Sequence, residues 1–397
     1  MRSRFGLAII LVNVFLDLLS FGVVIPLLPF YAEHLGATPL LIGLMLTSFS
    51  TAQFIFSPLW GRLSDRVGRR PVILGSLTGS AISFIMLANA NSLALLFASR
   101  VMAGVAAANI AASQAYIADT TPPAERARGM GLVGAAIGVG FILGPAIGGV
   151  LAPYGYSVPF YAAAGLCLLD VGLGLFLLPE SVRREQHADQ LGWREVGALV
   201  RQPEMALLLG LAFTVSFAFA NMEATMAIFT QARFGFTARE NGYLFTYMGV
   251  LTVINQALLV GPLVVRVGER RLVVLGLLSM AAGLGTVPLA PVVGFLLLGL
   301  AILAFGSGVA NPSLSSLVSR CSPPQFQGGI LGVMQSVSSL ARMGGPILGG
   351  YLFGRLGPSY PFLSAASIMA LSGLAAVGLV TRRRGRCELE GRSGTPT

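Results

Sequence analysis

The chain contains no lysine: every one of its 26 basic residues is arginine. A nucleotide-binding loop that needs a lysine on the phosphates is therefore excluded, and so is Schiff-base chemistry. An ATP-driven pump within this chain goes with them. Charge of either sign is scarce, at 11% of residues against about 25% in a soluble domain, while 55% are apolar. A water-soluble protein of 397 residues needs a more polar skin, so the expected solvent is a lipid bilayer. The three cysteines, Cys167, Cys321 and Cys387, and the two histidines, His34 and His187, lack metal-ligand spacing. No metal site or disulfide is expected. Nucleophile, base and orienting group do not assemble anywhere, so no catalytic residue is assigned and no enzyme is expected.

What is abundant is length of apolar sequence. A membrane span needs about 20 mostly apolar residues to cross about 30 Å of hydrocarbon. Cutting the chain at charged or Pro/Gly-rich breaks predicts twelve spans: 7–32, 40–60, 71–89, 93–118, 128–152, 158–178, 205–232, 240–262, 272–289, 292–318, 328–353 and 359–381. No small-residue cleavage site interrupts the first of these, so it reads as a retained span.

An even span count puts both termini on one side. Of the 26 arginines, 21 fall in segments on that side, three (Arg233, Arg239, Arg355) on the opposite side, and two (Arg100, Arg342) inside spans. By the positive-inside rule both termini are expected to be cytoplasmic, in a cell (inner or plasma) membrane. The net charge of +10 is then an orientation signal, and no nucleic acid is needed as a partner.

The longest polar connection lies between spans six and seven, where Leu191, Val196, Leu199 and Val200, beside Trp193, predict a short amphipathic helix on the membrane surface. The stretches flanking it resemble each other. "GRLSDRVGRRPVILG" at 61 is echoed by "GPLVVRVGERRLVVLG" at 261, and "LGPAIGGVL" at 143 by "GGPILGGYL" at 344. Six spans therefore read as duplicated in parallel. The expected organisation is a six-helix bundle over 1–180, a linker over 181–203, a second six-helix bundle over 204–381 and a cytoplasmic tail over 382–397. Parallel six-span halves, a known transporter plan, place a substrate site at their interface near mid-membrane.

The chain resembles twelve-span members of the major facilitator superfamily, specifically the drug/proton antiporters that include tetracycline exporters. Four stretches carry the likeness: "LDLLSFGVVIPLLP" in span one, "GRLSDRVGRR" after span two, "SRVMAGVAAA" in span four and "GVGFILGPAIGG" in span five. The resemblance implies an all-α integral membrane protein with two pseudo-symmetric bundles. It also implies a monomer that takes a small-molecule substrate, uses protons as coupling ion and needs no cofactor. "IADTTPPAERARGMG" at 117 is similar to tetracycline exporters. Their acids in spans three and nine and their histidine in span eight have no counterpart here.

Ionisable groups inside spans are the candidate machinery. An Asp at mid-membrane costs about 2.5–3.5 kcal/mol on insertion scales, so Asp17, one helical turn beyond Asn13, is expected to face a cavity and carry a proton. Arg100 is expected to act in a cavity or proton relay, with Gly104, Ala108 and Ala112 letting a neighbouring helix approach. The resemblance makes spans seven and eleven neighbours. Glu223 and Arg342 then form either a structural charge pair or a cavity acid with its countercharge. Asp170, in span six, falls on a peripheral helix of the family plan and is expected only to pack.

Around the first loop, Gly61, Asp65, Arg66, Gly68, Arg69 and Arg70 are expected to latch the cytoplasmic mouth. Gly61 would allow close helix approach, Gly68 would take a positive φ, and Asp65 would pair with Arg66 or Arg69. By resemblance, Asp65 would also meet the positive end of span eleven. In span five, Gly134, Gly138, Gly144 and Gly148 are expected to be close-packing steps, with a kink at Pro145. The resemblance assigns Gly144, Pro145, Gly148 and Gly149 to an antiporter motif that seals the halves. These features point to proton-coupled efflux of hydrophobic or cationic small molecules. A tetracycline-specific exporter, a metabolite symporter or facilitator, and a non-transporting receptor or scaffold stand as alternatives.

Overall fold

A computed structural model describes residues 2–107, 112–113, 116–117, 123–180, 193–322 and 327–381; within it the side chains of 2–7, 65, 123–131, 193–196, 327–328, 379 and 381 are also left undescribed. Among the described residues every regular element is helical. The first span is built from α1 (Arg2–Val24) and α2 (Leu28–His34), broken at residues 25–27, where Pro26 cannot donate a helical hydrogen bond. Then follow α3 (Pro39–Val67), α4 (Arg69–Ala88), α5 (Leu93–Ala106), α6 (Pro123–Leu151), α7 (Ser157–Leu177) and the short α8 (Trp193–Val200). The remainder comprises α9 (Pro203–Phe234), α10 (Ala238–Ile254), α11 (Val260–Val267), α12 (Glu269–Thr286), α13 (Val293–Arg320), α14 (Gln327–Arg355) and α15 (Tyr360–Thr381). A π-helical turn at Asn255–Leu259 joins α10 to α11 within one span.

Among the described residues ten stretches are long and apolar enough to cross a membrane, each within a few residues of an expected span. The two other expected spans differ for separate reasons. α5 is the apolar start of 93–118, most of whose remainder lies outside the described residues. α14 is long enough, but its Gln, Ser and Arg residues make it too polar to face lipid along its length. Helix starts obey local chemistry: the Thr38 and Ser92 hydroxyls accept from the N–H groups of Leu41 and Leu95, capping α3 and α5.

The chain forms two compact units. One comprises Met1–Gln186 with Glu223–Gly249, and the other His187–Met222 with Val250–Thr397. In the first, α1 packs against α6 and α7, α3 against α5, and α4 against α5 and α7. In the second, α12 packs against α13 and α15. The internal repeat is visible at atomic scale. A Cβ on Gly144 of α6 would lie 2.6 Å from Leu19 O of α1, and one on Gly345 of α14 would lie 2.6 Å from Phe217 O of α9. Both copies of the "GPA/GPI" stretch therefore bring two backbones together. Likewise Gly68 and Gly268 join consecutive helices with φ of 109° and 86°, a region L side chains rarely enter.

Candidate functional site

Asn13 and Asp17 are four residues apart on α1 and share a face, which α1 turns toward α7. There Asn13 Nδ2 donates to Asp170 Oδ1 at 3.0 Å, with the two residues only 1% and 2% exposed. Asp17 is half-buried and its charge couples to that of Asp170. Cys167, fully buried one turn before Asp170, lies within reach of both carboxylates and of the Ser20 hydroxyl, which itself donates to Leu16 O. The structure thus gathers a polar cluster in an otherwise apolar layer.

Asp170 has the helix-packing role expected of it, since its carboxylate accepts from Asn13 where α7 packs on α1, and through that contact it also joins the polar cluster. The signal was present: the rule that singles out an acid inside a span applies to Asp170 as well as to Asp17.

Arg100 lies on α5, 3% exposed, and its Nε and one terminal nitrogen have no hydrogen-bond partner among the described residues. One turn on, Gly104 has no room for a side chain, because Phe49 O and the Ala52 methyl of α3 occupy the space. The close approach expected at that glycine is therefore present; Ala108 lies outside the described residues. Glu223 and Arg342 are both half-buried, and an Arg342 terminal nitrogen donates to Ser339 Oγ at 2.9 Å. Glu223 clusters with the first compact unit and Arg342 with the second.

At the α3–α4 junction the partner is one the sequence reading did not name. The Glu180 carboxylate, just past α7, accepts from the backbone N–H groups of Arg69 (2.9 Å) and Arg70 (3.4 Å). A negative group thereby meets the positive N-terminal end of α4. Arg70 also donates to Leu175 O, and an Arg69 terminal nitrogen to the buried Ser64 Oγ at 3.1 Å. Gly68 has the expected positive φ, and a Cβ there would lie 2.5 Å from Glu180 Oε2. Arg66 is exposed, and the side chain of Asp65 lies outside the described residues. The close approach expected at Gly61 is not found, since no described atom lies within 4 Å of where its Cβ would be. Gly61 sits on an exposed face of α3.

The repeat copy is tied down differently. Arg270 pairs with Glu204 at 2.8 Å, while Glu269 accepts from Ser316 Oγ at 2.6 Å and pairs with Arg320 at 3.3 Å. Glu180→Gln is expected to lower thermal stability slightly, by up to about 1 kcal/mol, since its capping role is exposed. Gly68→Ala is expected to cost more, because strain and contact with Glu180 add. Thermal unfolding of the purified protein ranks the two; equal midpoints would remove the second contribution.

The span-five glycines form two tracks. One faces α1: Gly140, Gly144 and Gly148 have no room for a Cβ against Leu18, Leu19 O and Val23 O, and Gly22 of α1 faces Gly144. The other faces α10 within the first unit. A Cβ on Gly149 would lie 2.9 Å from Arg239 O, and one on Gly242 would lie 2.5 Å from Pro145 O. Thr246 Oγ1 donates to Ile142 O at 3.3 Å beside them. Gly134, expected to be a close-packing step, is open, with no described atom within 4 Å. Contact with α1 is found six residues further along, at Gly140.

The sequence profile of the Major Facilitator Superfamily matches residues 10–259 and 256–393. The tetracycline resistance protein, class C, of Escherichia coli is 33% identical over 88% of this chain and 89% of its own length. Multidrug resistance protein 2 of Bacillus subtilis (strain 168) is 31% identical over 91% of this chain and 92% of its own. Among solved structures, the human organic anion transporter MFSD10 (TETRAN) superposes with a TM-score of 0.71 at 26% identity, covering 94% of this chain and 99% of that one. The nucleoside transporter NupG superposes with a TM-score of 0.78 at 15% identity over 95% and 99%, a likeness of fold.

Proposed function

Because this chain belongs to the major facilitator superfamily, we propose that it is a secondary active exporter, exchanging protons for hydrophobic or cationic small molecules by alternating access. The observation that carries the reading is similarity along nearly the whole chain to proteins named for multidrug and tetracycline resistance. Asp17 supports it chemically. A half-buried carboxylate in a membrane helix accepts a proton when its surroundings dry and releases it when they are wetted or a cation arrives. A cationic substrate displaces the proton by taking over its charge balance.

The energetics suffice without nucleotide. One charge crossing 100 mV supplies about 2.3 kcal/mol, enough for roughly fifty-fold concentration of a neutral substrate. In this reading the two six-span repeats are the moving bodies, both termini face the cytoplasm of a cell membrane, and the arginine-rich α3–α4 junction sits at the cytoplasmic mouth. A broad drug specificity is preferred to a tetracycline-specific one, since the acids in spans three and nine and the span-eight histidine are missing.

The test is flux. Purified protein in liposomes with an imposed proton gradient should release protons on addition of a hydrophobic cation such as ethidium, and stop when a protonophore collapses the gradient. Gradient-independent uptake would make the protein a facilitator. No response to ethidium, to a tetracycline or to other drugs would remove the export reading.

A further inference from the structure

Two atoms in the α1–α7 cluster are not accounted for. Asn13 Oδ1 and Asp170 Oδ2 are sealed from water and have no hydrogen-bond partner among the described residues. Their companions, Asn13 Nδ2 and Asp170 Oδ1, are bonded to each other at 3.0 Å. An amide and a carboxyl group joined through one N–H···O contact leave two oxygens, one on each side chain, and both are acceptors. Burying acceptors with no donor costs free energy, and burying an ionised carboxylate without compensation costs far more.

One proton resolves both. A hydroxyl on Asp170 Oδ2 donates to Asn13 Oδ1 while Asn13 Nδ2 continues to donate to Asp170 Oδ1, closing an acid–amide ring with two hydrogen bonds. We propose that Asp170 and Asn13 form a second proton-binding site, behind Asp17, in which Asp170 holds the proton and exchanges it with the Asp17 carboxylate. On transfer the O–H bond at Asp170 breaks and one forms at Asp17, so the negative charge moves from Asp17 to Asp170 and no other reactant is needed.

The surroundings fit a proton and no larger ion. Among the described residues, the titratable groups that act on Asp170 are Asp17 from α1 and Cys167 from its own helix. From α4, which also packs on α7, come the apolar Val72, Ile73 and Leu77, in a core cluster that includes Tyr116 and touches Val171. The proton site is distinct from Asp17 in exposure: Asp17 is half-buried, whereas Asp170 is 2% exposed.

This inference rests on proton exchange as the function, but its test does not need transport. The infrared carbonyl stretch of a protonated carboxyl group is read on the purified wild type at neutral pH, with 13C-aspartate labelling for assignment. The expected result is a labelled, buried-acid band that is lost in Asp170→Asn and retained in Asp17→Asn. Asparagine at 170 keeps a donor where the hydroxyl stood, so folding should survive, and the wild-type spectrum decides even if it does not. Absence of the band in the wild type, its persistence in Asp170→Asn, or its loss in Asp17→Asn overturns the assignment. A band without substrate-driven flux would sink the export reading and leave the site standing; coupled flux without the band would do the reverse.

Discussion

Asp17→Asn is expected to leave the protein folded and to cut substrate-driven proton release at least ten-fold, a loss of about 1.4 kcal/mol or more. Asparagine has nearly the same shape and keeps a polar tip beside Cys167 and Asp170, so α1 should still pack on α6 and α7. What it lacks is a proton that can come and go. Removing the ionisable group also removes its cost of insertion, about 2.5–3.5 kcal/mol at the centre of a span, so stability should rise or hold. Substrate exchange across liposomes at equal pH on both sides needs no net proton movement and should stay within about two-fold of wild type, since it reads binding and rocking alone. That combination, exchange retained and coupling lost, separates a proton carrier from a structural acid. Unaltered coupling in Asp17→Asn would take the residue out of the mechanism.

The second large effect concerns packing. Gly144→Ala is expected to destabilise the protein by about 1–3 kcal/mol, because the added carbon would lie 2.6 Å from Leu19 O and 2.7 Å from Gly22 Cα. Both obstacles are backbone, so no side chain can swing aside and α1 and α6 must move apart. The matched control is Gly134→Ala on the same helix. It meets no described atom within 4 Å and should gain up to about 1 kcal/mol from the better helix propensity of alanine. Thermal unfolding of the two variants in the same detergent measures the difference. Equal midpoints would mean that the α1–α6 approach contributes nothing to stability. Gly242→Ala, directed at Pro145 O on the other face of α6, should behave like Gly144→Ala.

These contrasts mark where local sequence stops being informative. Gly134 and Gly144 look alike in the chain, both small residues in one apolar helix, and only the position of α1 makes one a contact and the other an open face. Gly61, expected to allow a close approach within the loop latch, meets no described atom within 4 Å. At the α3–α4 junction the positive φ of Gly68 follows from a local constraint and was legible. The acid that caps α4, Glu180, lies more than a hundred residues away and left no trace in the spacing.

By itself, the sequence determined the spans, their breaks and the internal repeat, because the hydrocarbon core imposes a length and an apolarity that can be counted along one segment. It also singled out Asp17 and Asn13, since a polar group in lipid is conspicuous wherever its helix packs. Only the tertiary structure decided that Asp170 joins them, that Glu180 closes the end of α4, and which glycines carry helix–helix contact. Hydrophobicity and turn chemistry are properties of neighbours in the chain. A hydrogen bond between Asn13 and Asp170 is a property of how α1 and α7 meet, and residues 157 positions apart share no pattern that announces it.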